Sequence, residues 1–472
     1  MGSAVIESNI LGVVAGTLVA AIVAYAIFAY LKPLRGQRSG IGPAFAALVA
    51  LWMAKTAALH WFHGFYFDVD EARTWALRIA TVGPAHFYGP GYATDINYPP
   101  GGIYPLWPFG ALGRALDLSW ENLRIPAETP PLLADLLLGT TMFAYLRRSG
   151  RSLKSAWVGL LFVALNPALL FDTVVWGQTD SIVTSLMWLA TLVALDSGYV
   201  TAAAVLAIAV LVKPHALIII PLLVCWVLRK DGFSRLWAPA GAFTATVAIA
   251  VSPFAVGRPW DWLPRFYSAV MASNPETSVN AFNLMAIVGG LRQPETAAFD
   301  GVSDFTLGLA LVLAVLALSC GRVWRNPSSS SFMISVFLAL FGEFLFAPRM
   351  HERYLYPAMV FFAPLALEGL FWLSSFVLLT LNWLFNLAYV LHALETTFWL
   401  GTRPVPAMLS GALNLVLFGV VLGRISTLER DASPGETQHP ALASDSPPDL
   451  ILQPVPVRIG PIAPVRIGGE DQ

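Results

Sequence analysis

Charge is scarce in this chain, and cysteine scarcer. Of 472 residues only 12% are Asp, Glu, Lys or Arg, against 57% hydrophobic, with two cysteines and a formal net charge of −1. A soluble domain carries about 25% charged residues, so a water-soluble core is excluded. Cys225 and Cys320 both sit inside apolar runs, which leaves no disulfide framework and no cysteine metal site. The near-zero balance argues against a nucleic-acid partner. No Walker loop, strand-borne GxGxxG, HExxH or serine-nucleophile signature is present. What remains is apolar sequence in long runs. Residues 9–31, for instance, can cross a hydrocarbon layer, which needs roughly 20 such residues.

Such runs recur as far as Gly423, and the first lacks a basic leader, so a cleaved signal peptide explains none of this. We expect an all-α polytopic membrane protein with about 11–13 transmembrane helices, residues 1–425 forming the membrane domain. Basic clusters follow the runs at 9–31, 131–146, 216–228 and 304–321, and under the positive-inside rule they face the cytoplasm. The remaining loops then fall outside, notably 62–130 and 256–302. In the first of these, Ala72, Trp75, Ala76, Ile79 and Ala80 are spaced for an amphipathic helix in the interface, beginning near Asp70. Residues 426–472, rich in Pro and Ser with a near-repeat "PVPVRIG…APVRIGG", read as a disordered cytoplasmic tail.

The chemistry-bearing sequences all land on the outer side, a coincidence that played no part in placing the spans. "FDVDEARTW" packs Asp68, Asp70 and Glu71 together, with Asp95 further along. One helix cap needs one acid; three crowded acids repel, and repulsion can keep one basic enough to take a proton from a hydroxyl. In "WGQTD", Trp176 would be ordinary at an interface, but Gln178 and Asp180 beside it suit hydrogen bonding to a polyol. Lys213 and His215, in "KPH", are explained either by snorkelling to the interface or by a binding role. "PRMHERY" sets Arg349, His351 and Arg353 where the positive-inside bias disfavours them. Glu352 could neutralise them internally; a phosphate, matched by arginine's bidentate donors, is the other counter-charge.

Taken together, "FDVDEARTWALRIATVGPAHFY…NYPPG", "NPALLFDTVVWGQTDSI", "KPHALIIIP", "SVNAFNLMAIVGG" and "RMHERYLYP" resemble bacterial polyprenyl-phosphate-sugar-dependent glycosyltransferases of the GT-C superfamily, of the mannosyltransferase kind. The resemblance covers Trp61 to Pro357. It implies inverting transfer of a hexose or pentose, mannose above all, from a polyprenyl-phosphate sugar to a glycan, lipid or protein acceptor outside the cytoplasmic membrane. In that pattern the base stands seven residues before the Trp of "WA", which here is Asp68 before Trp75; the additional Asp70 and Glu71 depart from it. Arg349, His351, Arg353 and Lys213 would then hold the donor phosphate. Glu71, Asp95, Trp176, Gln178, Asp180 and His215 would orient sugar or acceptor. No cofactor is required by the resemblance, although the carboxylates could hold Mg²⁺ or Mn²⁺. A lipid-linked sugar flippase or transporter is the competing class, and an oligosaccharide ligase or polymerase with a pyrophosphate-linked donor is the competing enzyme. Transport would favour charges near span centres and repeated halves, neither of which is seen.

Overall fold

The computed structural model describes residues 2–34, 40–89, 96–273, 275–295, 298–299, 301–398 and 401–431. Among them the architecture is helical throughout; the one β element is an antiparallel pair of two-residue strands, Ala298–Phe299 and Val302–Ser303. Among the described residues eight helices are long and apolar enough to cross a membrane: Asn9–Leu34, Ile41–Ala58, Leu153–Trp176, Phe233–Ala255, Asp304–Arg325, Ser329–Phe346, Leu370–Thr396 and Val405–Leu428. Polar side chains start several of them where the sequence supplies a cap. Ser152, Ser303 and Ser328 accept from the backbone N–H three residues on, at Ser155, Thr306 and Ser331.

Burial sorts these helices into a rim and a centre. Asn9–Leu34 and Ile41–Ala58 keep only 22% and 17% of their window inside the protein, whereas Ser329–Phe346 keeps 72%. The rim helices present Ile10, Val13, Met53, Leu313 and Leu318 outward, an apolar surface of the kind that faces lipid. At the centre stand two helices too short to span alone, Asp180–Leu195 and Tyr199–Val212, of 16 and 14 residues. At 1.5 Å per residue they reach about 24 and 21 Å, against a hydrocarbon layer of about 30 Å. Surrounded by protein, they need no more, and their polar ends at Asp180 and Lys213 are recessed.

Two expected spans fall differently along the chain. The run at 216–228 is a 3₁₀ turn, Pro214–Ile218, followed by a 13-residue helix, Ile219–Asp231. The run at 131–146 lies within Arg124–Arg148, a longer helix that buries Glu128 and Asp135. The last helix continues to Asp431, past the boundary at 425; residues beyond it lie outside the described part.

The helix ends sort by chemistry. At one end Arg148 meets Asp196 at 2.6 Å and the Tyr30 carbonyl at 2.9 Å, Arg151 pairs with Glu368, and Arg229 donates to the Trp324 carbonyl. At the opposite end stand Asp68, "WGQTD", "KPH" and "HERY". Here the first long loop folds as a helix Tyr66–Phe87, kinked at Gly83, and a shorter helix Leu106–Ala115.

Candidate active site

Asp68 begins the site. It lies in the first turn of Tyr66–Phe87, and its Oδ2 accepts from Trp176 Nε1 at 2.8 Å and Gln178 Nε2 at 2.6 Å. Both donors come from one turn. Phe171–Trp176 winds as a π-helix, a form that recurs at functional sites, and Gly177 follows at φ 90°, where a side chain would be strained. That reversal lets residues 176 and 178 address the same carboxylate. The Phe65 N–H, donating to the Trp176 carbonyl at 2.8 Å, ties the two segments together. Asp68 Oδ1 takes no partner among the described residues.

Three residues on, Glu71 shares this helical face. Burial first, and then the Asp68 carboxylate, push its carboxyl up to about 7, with Arg353 acting against them. Asp70 does not join. Two residues from Asp68 is about 200° around a helix, and Asp70 points away, paired with Arg73 at 2.9 Å and 46% exposed.

Beneath Asp68 lies the ionic centre. Asp180 Oδ2 is 2.8 Å from Lys213 Nζ and 3.7 Å from Arg353 Nε, and Arg353 NH1 donates to Glu352 Oε1 at 3.1 Å. All four side chains are buried or nearly so. Burial would lower the pKa of Arg353, but the carboxylates of Glu352 and Asp68 outweigh it and hold the guanidinium firmly charged. Burial raises Glu352, opposed by Arg353. Aromatic rings wall this centre: Lys213 Nζ lies 5.4 Å from the Tyr98 ring and 5.5 Å from the Tyr354 ring. His215 and His351 meet Tyr354 edge-on or tilted, each with centroids 5.3 Å apart. Burial, then the Lys213 ammonium, push His215 down to about 4; burial, then Arg353, take His351 well below the usual range. Both shifts favour the neutral imidazole, which serves a ligand through hydrogen bonds and not through charge. His215 Nε2 and His351 Nδ1 are buried without a partner among the described residues.

The structure thus brings together Asp68, Glu71, Trp176, Gln178, Asp180, Lys213, His215, His351 and Arg353. Arg349 stands apart: its Nε and NH2 each lie 2.5 Å from the two Glu295 oxygens, and NH1 donates to the Met271 carbonyl. Asp95 lies outside the described residues. Sequence reasoning missed Tyr98, Tyr354 and Asp172. The last is fully buried within electrostatic reach of Asp180, Lys213, Arg353 and Glu352. Tyr98 carried no signal beyond an aromatic-rich loop, and Asp172, lying four residues before Trp176 in an apolar run, was legible as an intramembrane acid. Among the described residues no group of three His, Cys, Asp or Glu side chains is placed to hold a metal ion.

The arrangement offers a carboxylate with one oxygen fixed and one free, above two buried cations and two neutral imidazoles. It can take a proton at one point and stabilise an anion at another. The family model that matches this chain is that of glycosyltransferase family 87, over residues 97–348, just over half the chain. No curated protein matches it. The matched stretch supplies Trp176 to Lys213, whereas Asp68 precedes it and Arg353 follows it.

Proposed function

From the premise that the chain belongs to glycosyltransferase family 87, we propose that this multi-pass membrane enzyme moves a hexose or pentose, mannose foremost, from a polyprenyl-phosphate donor to a hydroxyl acceptor. The transfer inverts the anomeric centre and takes place on the extracytoplasmic face of the cytoplasmic membrane. The carrying observation is the separation of duties between Asp68 and Arg353. Asp68 Oδ1 takes the proton of the acceptor hydroxyl as that oxygen forms its bond to the anomeric carbon. The bond from that carbon to the donor's phosphate oxygen breaks, and its electron pair stays on the phosphate. Lys213 and Arg353 offset the developing charge, while His215 and His351 donate hydrogen bonds to donor oxygens. Trp176 and Gln178 keep Asp68 oriented and give the sugar a wall. No protonated leaving group is needed, which suits a phosphate and a site with one unpaired carboxylate oxygen. The basic helix ends opposite the site support its outward orientation.

Purified protein in nanodiscs, offered polyprenyl-phosphate mannose or a polyprenyl-pyrophosphate oligosaccharide, tests the donor. Turnover with the monophosphate alone is expected. Arg353→Ala should raise the donor KM or lower kcat/KM by at least tenfold, for the loss of a charge-assisted contact of about 1.5–3 kcal/mol. Arg349→Ala, at the Glu295 pair, should leave donor KM near that of the parent. Use of the pyrophosphate donor in place of the monophosphate would overturn the reading.

A further inference from the structure

A second polar cluster lies outside the site, buried among apolar side chains. Lys55, near the end of helix Ile41–Ala58, places Nζ 2.6 Å from Asp135 Oδ2 on helix Arg124–Arg148. Both residues are 7% exposed, among Leu48, Trp52, Leu132 and Leu136. A buried ion pair repays its desolvation poorly, and apolar residues of like volume often serve a fold as well. Ionisable groups retained within membrane helices more often serve function. The function here is indicated by a third member. Tyr356 Oη donates to Asp135 Oδ1 at 2.8 Å, so each carboxylate oxygen has its own partner.

Tyr356 stands three residues after Arg353, on the helical turns formed by Glu352–Leu355 and Tyr356–Phe362. On the other flank Trp383 Nε1 donates to the Glu352 carbonyl at 2.8 Å, and its ring meets that of Tyr356 edge-on at 5.9 Å. The segment is therefore fixed at its beginning through a carbonyl and at its end through a phenol, with Arg353 between. A catalytic group displaced by about 1 Å can lose about a hundredfold in rate.

We propose that Lys55 and Asp135 are positioning residues: by holding the Tyr356 hydroxyl they fix the backbone that aims Arg353 toward the donor. The aim toward a donor rests on the function proposed above; the clamp itself does not. Removing Asp135 alone would strand the Lys55 charge and could prevent folding, so two other variants carry the test. Tyr356→Phe deletes only the hydroxyl. The double variant Lys55→Met with Asp135→Leu removes both charges at similar volume. In nanodiscs, both should keep a melting temperature close to the parent's. Both should show faster amide hydrogen exchange across residues 350–356. With polyprenyl-phosphate mannose as probe, the donor KM should rise about tenfold, equivalent to about 1.4 kcal/mol, while the acceptor KM stays unchanged. Parental exchange together with parental donor KM in both variants would overturn the proposal. The exchange measurement needs no donor, so a parent that ignored the probe would refute the donor and leave exchange to decide the clamp.

Discussion

Glu71 is where this site meets pH. Its carboxyl titrates at about 7, raised by burial and by Asp68. Below that value it is neutral; above it, it adds a negative charge facing Arg353 and the proposed phosphate position. Since the folded site raises the pKa, ionisation works against the assembled site, and raising the pH through 7 should weaken binding of an anionic donor. We expect donor KM to climb between about pH 6 and pH 8, and Glu71→Gln to hold it at the low-pH value across that range. Donor titrations at several pH values check this; an unchanged slope in Glu71→Gln would assign the titration elsewhere. Asp70→Asn should leave the donor KM profile as in the parent, because pairing with Arg73 and exposure place Asp70 outside the cluster. The sequence shows the acids but not which of them share a face, since the expected helix starts at Asp70. Starting it at Tyr66, as the fold does, makes residues 68 and 71 neighbours by spacing alone.

Two short elements do most of the positioning, and neither has a strong local signature. The π-helical turn and Gly177 aim Trp176 and Gln178 at Asp68. A Cβ on Gly177 would stand 2.9 Å from Val69 Cγ2 and 3.1 Å from Glu128 Oε1. Gly177→Ala should therefore cost about 1–2 kcal/mol in backbone strain and, through the displaced donors, cut turnover by tenfold or more. Thermal unfolding and initial rates in the same detergent check both parts; parental turnover would remove the turn from the site's design. "WGQTD" was legible as a polar insertion in apolar sequence. The winding of the turn before it was not, because π and α windings share the same side-chain pattern. The Lys55–Asp135 contact, 80 residues apart in the chain, left no trace beyond two isolated charges.

At the scale of the molecule, hydropathy found the membrane class and the grouping of polar motifs at one end. It does not separate a lipid-facing span from an enclosed one, because a helix surrounded by other helices is as apolar as one facing lipid. Asp180–Leu195 and Tyr199–Val212 show the difference: almost wholly buried, they stop short of a full crossing. Orientation can be read directly. With Cys225 and Cys320 replaced, Trp260→Cys, at a position 92% exposed on the site's end, should react with a membrane-impermeant maleimide in intact cells. Lys230→Cys, at the basic end, should react only after permeabilisation; the reverse pattern would invert the proposed topology. The central claim is that Asp68 removes the acceptor's proton, and transfer rates of Asp68→Asn and Asp70→Asn with bound polyprenyl-phosphate sugar test it most directly. Asp68→Asn preserves shape but cannot take the proton, so its kcat should fall by about 10²-fold or more with donor binding retained, while Asp70→Asn stays near the parent. Parental kcat in Asp68→Asn would contradict the account, whatever Asp70→Asn did.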